Sequence, residues 1–147
     1  IWKGLKNINE VTIRYDWLLL TRSGTVGKVA LVRDHLDGWA ASEHIIRLIP
    51  EMTRINQGFL TAFLMSQFGE TQFKGVVYGG VVDEIAEKDT SLIGNVFVLI
   101  PPKDIQDEIG NRVIQAYDLR DSAIGIEEEA VKQLEQKILE LAGSELS

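Results

Sequence analysis

The feature that most constrains this chain is a long amphipathic helical pattern over about residues 103–142, directly after Pro101-Pro102. Its first apolar residues lie four positions apart, at Ile105, Ile109, Val113 and Tyr117. Its last ones follow the 3-4-3 spacing of a coiled-coil seam, at Val131, Leu134, Ile138 and Leu141. Because no later segment of the sequence can cover this apolar stripe, the helix needs a partner. We expect pairing with another helix, and packing on the chain's own globule is the alternative.

Two glycines lie inside this helical pattern. Gly110 and Gly125 each weaken a helix by about 1 kcal/mol relative to alanine. Gly125 is the position at which the helix could divide, because it separates the first apolar series from the second. We therefore predict one long helix, or two helices that meet at Gly125.

Residues 1–102 carry short apolar runs that are typical of strands and are separated by turn signals. The runs cover residues 16–22, 27–33, 39–49 and 95–100. The first two flank a tight loop that begins at Ser23-Gly24, so we expect a strand pair there. The third run ends at Pro50 and the last at Pro101, and proline removes the N–H that a sheet would need.

Between the third and fourth runs the apolar spacing becomes helical. Apolar residues at 59, 60, 63, 64 and 68 predict a helix with Asn56 as its cap and Gly69 as its stop. Residues 73–82 mix valine and tyrosine with three glycines, which indicates an irregular loop or a bulged strand. The predicted fold class is therefore α+β: a globule with a mixed β-sheet over residues 1–102, then a long coiled-coil-like helix over residues 103–147.

Charge is distributed unevenly along the chain, whose formal net charge is −7. Residues 1–82 carry nine Lys or Arg against seven Asp or Glu, whereas residues 83–147 carry six against fifteen. Phosphate contacts require Lys and Arg, and salt screens charges from one another over about 10 Å. We therefore expect only the N-terminal part to face a nucleic acid.

The composition limits the class of protein further. The 147 residues suffice for one domain, or for one domain plus an appendage. The absence of cysteine excludes disulfides and thiolate metal sites, and no apolar run approaches the roughly 20 residues of a membrane helix. We expect a cytoplasmic protein without a membrane partner. Because the chain opens at Ile1 rather than Met, we also expect a fragment of a longer protein.

Three stretches of the sequence, in this order, resemble motifs of one protein family. Residues 16–27 are similar to a strand and loop of the form D-x-L-L/I-S/T-R-x-G-S/T-x-G. Residues 59–66 are similar to Y-L-x-x-x-L-x-S, and residues 100–109 match L/I-P-P-x-x-x-Q-x-x-I. The family is that of the specificity subunits of type I restriction-modification enzymes. Each stretch alone is a weak signal, but the order, the spacing and the long helix that follows are fairly specific.

This resemblance implies a target recognition domain over residues 1–102 and one spacer helix over residues 103–147. Such a domain would read one half of a bipartite site in double-stranded DNA, and modification subunits would dock beside it. S-adenosylmethionine would be bound by those subunits, so we expect no cofactor and no catalytic centre in this chain. A whole subunit of the family has two recognition domains and two antiparallel spacer helices. This chain has half that length, so we expect a fragment, or a half-subunit that pairs with a second copy of itself.

The glycine loop after the first strand supplies the first candidate DNA contacts, which are Arg22, Ser23, Thr25 and Lys28. Glycines allow a backbone to approach a phosphate closely, and hydroxyl groups and cations supply donors to it. The alternative is an ordinary hairpin turn in which Gly24 and Gly27 adopt positive φ. Lys74 and Tyr78 are the second candidates, since a tyrosine on a glycine-rich stretch can stack on bases. The alternative there is a half-buried strand.

The residue patterns do not support catalysis. The two histidines, His35 and His44, lack an acidic pair at metal-ligand spacing, so we expect no metal site. The glycine loop departs from a P-loop because Lys28 is followed by Val29 rather than by Ser or Thr. The sequence also lacks the Asn/Asp-Pro-Pro-Tyr/Phe segment with which adenine methyltransferases hold a flipped base.

Other functions stay open beside DNA recognition. The same domain could be the C-terminal specificity domain of a fused N6-adenine DNA methyltransferase, whose catalytic half would lie upstream. A protein-interaction adaptor could use the long helix and never bind DNA. A hydrolase based on Asp or Glu chemistry has no motif in its support.

Overall fold

A short antiparallel sheet and a 42-residue helix are the main parts of the fold. The computed structural model describes residues 11–75 and 93–144. The elements are β1 (Leu18–Thr21), β2 (Val29–Leu31), β3 (Ile45–Leu48), α1 (Gln57–Met65), α2 (Gln67–Lys74) and α3 (Lys103–Ser144). This arrangement confirms the predicted α+β class and the long C-terminal helix.

β1 is the central strand of the sheet, whose order is β2-β1-β3. It pairs antiparallel with both neighbours, and Leu18 lies opposite Leu31 on one side and Leu48 on the other. Successive side chains of a strand point to opposite faces, so Leu18 and Leu20 share one face, where both are fully buried. The described strands are all antiparallel, in place of the mixed sheet that we expected from the sequence.

The core lies between this face of the sheet and the helices. Its buried apolar side chains are Leu18, Leu20, Val29, Leu31, Leu64 and Phe73. Ile114 and Tyr117 of α3 pack against this cluster, so the first part of the long helix completes the core of the globule. Each large apolar side chain that is fully buried contributes roughly 1.5–3 kcal/mol relative to an exposed one.

Two helices replace the single one that the sequence predicts between Asn56 and Gly69. Asn56 caps α1, as predicted. The helix ends early because the chain becomes extended at Ser66, whose hydroxyl donates to the Phe63 carbonyl at 2.6 Å. Gly69 lies inside α2, where a Cβ would come within 2.4 Å of the Leu64 carbonyl oxygen. The prediction of a stop at Gly69 is therefore wrong, and this glycine instead permits the close approach of the two helices.

The strand predicted over residues 39–49 is shorter than expected, and the one predicted over residues 95–100 is absent. Residues 39–49 form a strand only at β3, because a turn at residues 42–45 precedes it. Residues 95–100 contain no strand, so that prediction is wrong. Gln72 of α2 holds the backbone of Phe97 instead, since its amide donates to the Phe97 carbonyl (3.0 Å) and accepts the Phe97 N–H (2.7 Å). A side chain thus makes the hydrogen bonds that a neighbouring strand would have made.

Of the loop or bulged strand predicted over residues 73–82, residues 73–75 are described: the first two are helical and Gly75 is the C-cap of α2. Phe73 and Lys74 form the last residues of α2, so the prediction is wrong for them. Phe73 is buried in the core, because the helical period places its side chain on the face of α2 that packs against the sheet. Residues 76–82, with Tyr78, lie outside the described residues.

α3 is one continuous helix and does not divide at Gly125. The intrinsic cost of one glycine, about 1 kcal/mol, is too small to interrupt a helix that is packed along its first half. At 1.5 Å per residue the helix is roughly 63 Å long, which exceeds the width of the sheet several times. Of the helices in the described residues, none is long and apolar enough to cross a membrane.

Candidate nucleic-acid interface

The loop between β1 and β2 is a tight, internally bonded turn. Gly24 and Gly27 have φ angles of +77° and +84°, the left-handed conformation that favours glycine and was predicted for both. The Thr21 hydroxyl braces the loop, because it donates to the Thr25 carbonyl and accepts the Lys28 N–H at 2.9 Å. The loop therefore has a fixed backbone on which its side chains are displayed.

A second set of contacts holds this loop to the turn before β3. The Ser23 Oγ lies 2.7 Å from the Nδ1 of His44. The backbone N–H of Arg22 donates to the His44 carbonyl at 2.8 Å. Thr25 and Lys28 are exposed, whereas Arg22 and Ser23 are half-buried by these contacts. The loop therefore exposes the Lys28 ammonium group and the Thr25 hydroxyl. The Ser23 hydroxyl is held in place by His44.

A cleft of about 110 Å³ joins this loop to α2. It is lined by Val26, Gly27, Lys28, Val29, Leu64, Met65 and Glu70. Glu70 forms an ion pair with Lys74 one helical turn later, at 3.1 Å. Lys28 and Glu70 thus line the same cleft, and Glu70 is paired with Lys74, although the loop and α2 are distant in the sequence. A carboxylate on such a surface disfavours phosphates but can accept a hydrogen bond from the amino group of cytosine.

Asn56 attaches the first turn of α3 to the globule. Its backbone N–H donates to the side-chain oxygen of Gln106 at 3.0 Å, and its Nδ2 donates to the Asp107 carboxylate at 2.9 Å. Gln106 is 3% exposed, and its own amide donates to the Pro101 carbonyl at 2.8 Å. A buried polar group is costly unless it is fully hydrogen-bonded. This network therefore specifies one way of seating the helix.

The same seating brings two helix backbones into contact. A Cβ added at Gly58 of α1 would lie 2.1 Å from the Gly110 carbonyl oxygen. A Cβ added at Gly110 of α3 would lie 2.0 Å from Oδ1 of Asn56. The face of α3 that packs here runs through Gln106, Gly110 and Ile114, one position beyond the apolar series that the sequence suggested. The glycine at 110 is therefore required by packing.

Arg33 forms a second attachment between the globule and α3, further along the helix. Its Nη1 lies 2.5 Å from Asp16 Oδ1 and its Nε 2.7 Å from Asp118 Oδ1. Desolvation opposes the charge of the guanidinium, but the hydrogen bond to Asp118 and the nearby charges outweigh it and raise the pKa of Arg33. The His35 N–H donates to the Asp121 carboxylate at 2.8 Å. Two attachments about three turns apart fix the direction of the helix as well as its position.

The two attachments use residues from the first and third sequence motifs described above. Asp16 opens the first motif, and Gln106 is the glutamine of the third. Sequence reasoning missed both as attachment residues, and it gave Asn56 only the role of a cap. The sequence did contain a signal for the packing of α3, because a glycine inside a strong helical pattern often has a packing reason. Gly110 was such a glycine.

The second half of α3 projects away from these attachments. Every residue from 125 to 143 is exposed, which corresponds to about 28 Å of helix. The predicted seam residues are among them, with exposures of 50% for Val131, 61% for Leu134, 55% for Ile138 and 67% for Leu141. A regular stripe of exposed large apolar side chains is typical of an interaction surface. The seam residues therefore do not pack on the chain's own globule, which was the alternative.

Candidate metal ligands are not grouped in the described ranges, 11–75 and 93–144. Within them no set of three or more His, Cys, Asp or Glu side chains is placed to hold a metal ion. His35 stacks at a tilt against Trp39, with 5.5 Å between ring centroids, and His44 belongs to the loop contacts. Each histidine therefore has a local partner of its own.

No protein-family model and no curated protein sequence matches this chain. Among solved structures, its fold is similar to that of a type I restriction-modification system S subunit from M. genitalium, with a TM-score of 0.55 and 12% sequence identity. The similarity covers 80% of this chain and 29% of the S subunit. At this identity the likeness is one of fold, and the chain spans less than a third of the structure that it matches.

Proposed function

We propose that this chain is a DNA-recognition module of a type I restriction-modification system. Residues 1–102 would form one target recognition domain, which reads one half of a bipartite site, and residues 103–147 one spacer helix. The observation that carries the proposal is the seating of α3: buried and half-buried polar contacts fix its first half to the globule, while its second half projects with an exposed apolar stripe. The fold likeness to an S subunit supports the same reading.

The recognition surface would be the β1–β2 loop with the neighbouring end of α2. Lys28 and Lys74 would contact phosphates, and the hydroxyls of Ser23 and Thr25 would donate to phosphates or to base edges. Arg22 and Tyr78 complete the proposed set, Arg22 from within the loop and Tyr78 from the segment after α2. A surface with so few cations binds weakly alone, so affinity would come from the assembled complex, in which two recognition domains bind together.

The helix would set the distance between two half-sites and dock the catalytic partners. Val131, Leu134, Ile138 and Leu141 would pair with the equivalent helix of a second copy or of a second half. The acidic surface of the helix would stay away from DNA and meet basic surfaces of the modification subunits. The methyl donor, S-adenosylmethionine, would be bound by those subunits, and this chain would act in the cytoplasm without a catalytic centre of its own.

The test is a gel-shift assay on the chain co-expressed with the modification subunit encoded beside it. The double variant Thr25→Ala/Lys28→Ala should weaken binding and reduce the slope of log affinity against log salt by about 1, because one phosphate contact is lost. Lys137→Ala, on the projecting part of α3, is the matched control and should change neither quantity. Equal binding by the loop variant and the wild type would contradict the loop assignment.

The exposed stripe of α3 also favours a second candidate, a helix-mediated protein-interaction adaptor without DNA binding. The adaptor predicts a stable complex with the partner that ignores DNA even at low salt. The recognition module predicts salt-dependent binding by the same complex. One titration at two salt concentrations therefore separates the two functions.

A further inference from the structure

α3 carries an outer stripe of exposed apolar side chains along most of its length. The globule packs on the face that contains Gly110, so Ile105 and Ile109 are left 43% and 41% exposed. At about 100° per residue, the residues of the outer stripe point within about 50° of one direction, which lies about 130° around the helix from Gly110. They are Ile105, Ile109, Ala116, Leu119, Ala123, Ala130, Leu134 and Ile138, and all are exposed.

Two charged residues within the outer stripe, Arg120 and Glu127, determine which direction of a partner helix is favourable. Both are exposed, and the Arg120 guanidinium lies over the Tyr117 ring at 4.8 Å. In a parallel pair of α3 helices each charge would lie beside the same charge of the second copy, which is unfavourable. In an antiparallel pair whose two-fold axis passes beside Ala123, Arg120 of each copy lies beside Glu127 of the other. Polar residues inside an apolar seam specify its register in this way.

The same axis also matches the apolar residues of the outer stripe. Ile109 comes opposite Ile138 of the second copy, and Ala116 comes opposite Ala130 of the second copy. Pairing through the projecting part of α3 alone would overlap over only about 25 Å, whereas full-length pairing covers about 63 Å. The shorter overlap would also place Lys137 beside Lys137 of the second copy. Both apolar area and charge therefore favour pairing over the whole helix.

We propose that two copies of this chain pair antiparallel through the full length of α3, about an axis beside Ala123, and that Arg120 and Glu127 select this direction and register. The inference rests on the helix pairing in the proposed function and adds to it the face, the direction and the register. The projecting part of each helix would lie along the first half of the other. The centres of the two globule attachments would then be about 28 Å apart along the helices.

Charge reversal tests the pair of charges. Arg120→Glu and Glu127→Arg each place like charges at the seam, so each should weaken self-association of the full chain at least about tenfold in sedimentation equilibrium. The double variant Arg120→Glu/Glu127→Arg restores opposite charges and should associate as the wild type does. Lys132→Glu, on the opposite face of α3, is the matched control and should change nothing, and circular dichroism would confirm equal helix content. A double variant as weak as the single ones, or single variants as strong as the wild type, overturns the inference.

Single cysteines test the register, because the chain has no cysteine of its own. Ala123→Cys should form a disulfide with its own copy under mild oxidation, since the bond requires Cα atoms within about 7 Å. Lys137→Cys should form none. Disulfides in both variants indicate a parallel pair, and a disulfide in Lys137→Cys alone indicates pairing through the projecting part; either result overturns the inference. A chain that stays monomeric overturns both the inference and the proposed self-pairing, while the gel-shift assay tests DNA recognition separately.

Discussion

Replacing Gly110 by alanine should destabilise the protein, although the same change stabilises most helices. The new Cβ would lie 2.0 Å from Oδ1 and 2.5 Å from Cγ of Asn56, and 2.7 Å from the backbone nitrogen of Phe59. Contacts this short force the two helices apart. Separation would break the hydrogen bonds that Asn56 makes to Gln106 and Asp107 and disturb the cap of α1.

The net effect of Gly110→Ala can be estimated from three terms. Overpacking costs typically 1–3 kcal/mol, and loss of a cap costs about 1 kcal/mol. The higher helix propensity of alanine returns about 1 kcal/mol. The free energy of unfolding should therefore fall by roughly 1–3 kcal/mol, and since 1 kcal/mol corresponds to about 2–4 °C for a domain of this size, Tm should fall by several degrees.

Gly125→Ala is the matched control within the same helix. Apart from the adjoining residues and backbone of α3 itself, no heavy atom of the described residues lies within 4 Å of a Cβ placed there. This variant should therefore show only the propensity gain, up to about 1 kcal/mol, and a slightly higher Tm. Circular dichroism melts and urea titrations of both variants measure the difference. If Gly110→Ala stabilises the protein as much as Gly125→Ala does, α1 and α3 are not packed backbone to backbone.

Three further predictions concern the junction and the projecting part of α3. Arg33→Gln leaves two carboxylates without their cation and should lower the free energy of unfolding by roughly 2–4 kcal/mol in urea titrations. Leu134→Glu should abolish self-association in light scattering without changing the helix content, whereas Leu139→Glu, off the seam, should not. The pKa of Asp107 is lowered chiefly by the hydrogen bond from Asn56, so its contribution to stability is complete above the ordinary value of 3.8 and is lost as the pH falls below that value. Thermal melts between about pH 3 and 6 measure this loss.

Each of these three predictions has a result that would contradict it. Arg112→Gln breaks an exposed ion pair with Glu108 on the same helix and should cost no more than about 0.5 kcal/mol. Equal losses for both arginines would contradict the role of Arg33 as an attachment. Asp107→Asn should reduce the loss of stability in acid, and an unchanged acid profile would contradict the pKa argument. Self-association that survives Leu134→Glu would place the helix partner on another face.

The sequence predicted those parts of the fold that depend on local pattern. The strand pair around the glycine loop, the cap at Asn56 and the long C-terminal helix all follow from spacing and turn chemistry within a few residues. Gly24 and Gly27 have the predicted positive φ, because the turn itself requires it. These features need no knowledge of what packs on them.

The parts that were missed depend on residues far apart in the sequence. Residues 95–100 form no strand, and the backbone of Phe97 is bonded instead by the side chain of Gln72, more than twenty positions earlier. The face of α3 that packs on the globule is set by Asn56, fifty positions before Gln106. For the candidate site, the sequence predicted which residues lie on the loop, while the contact between Ser23 and His44 needed the structure. The DNA-contacting role of the loop stays a prediction.

We propose that this chain determines which DNA sequence a partner methyltransferase modifies. The most direct measurement maps methylated adenines, by long-read sequencing of random-sequence DNA, after treatment with the modification subunit alone and with the complex. We expect adenine methylation in one defined bipartite motif that appears only with this chain and weakens or changes in Thr25→Ala/Lys28→Ala. A complex that forms but leaves DNA unmethylated, or a motif that is the same without this chain, would contradict the claim.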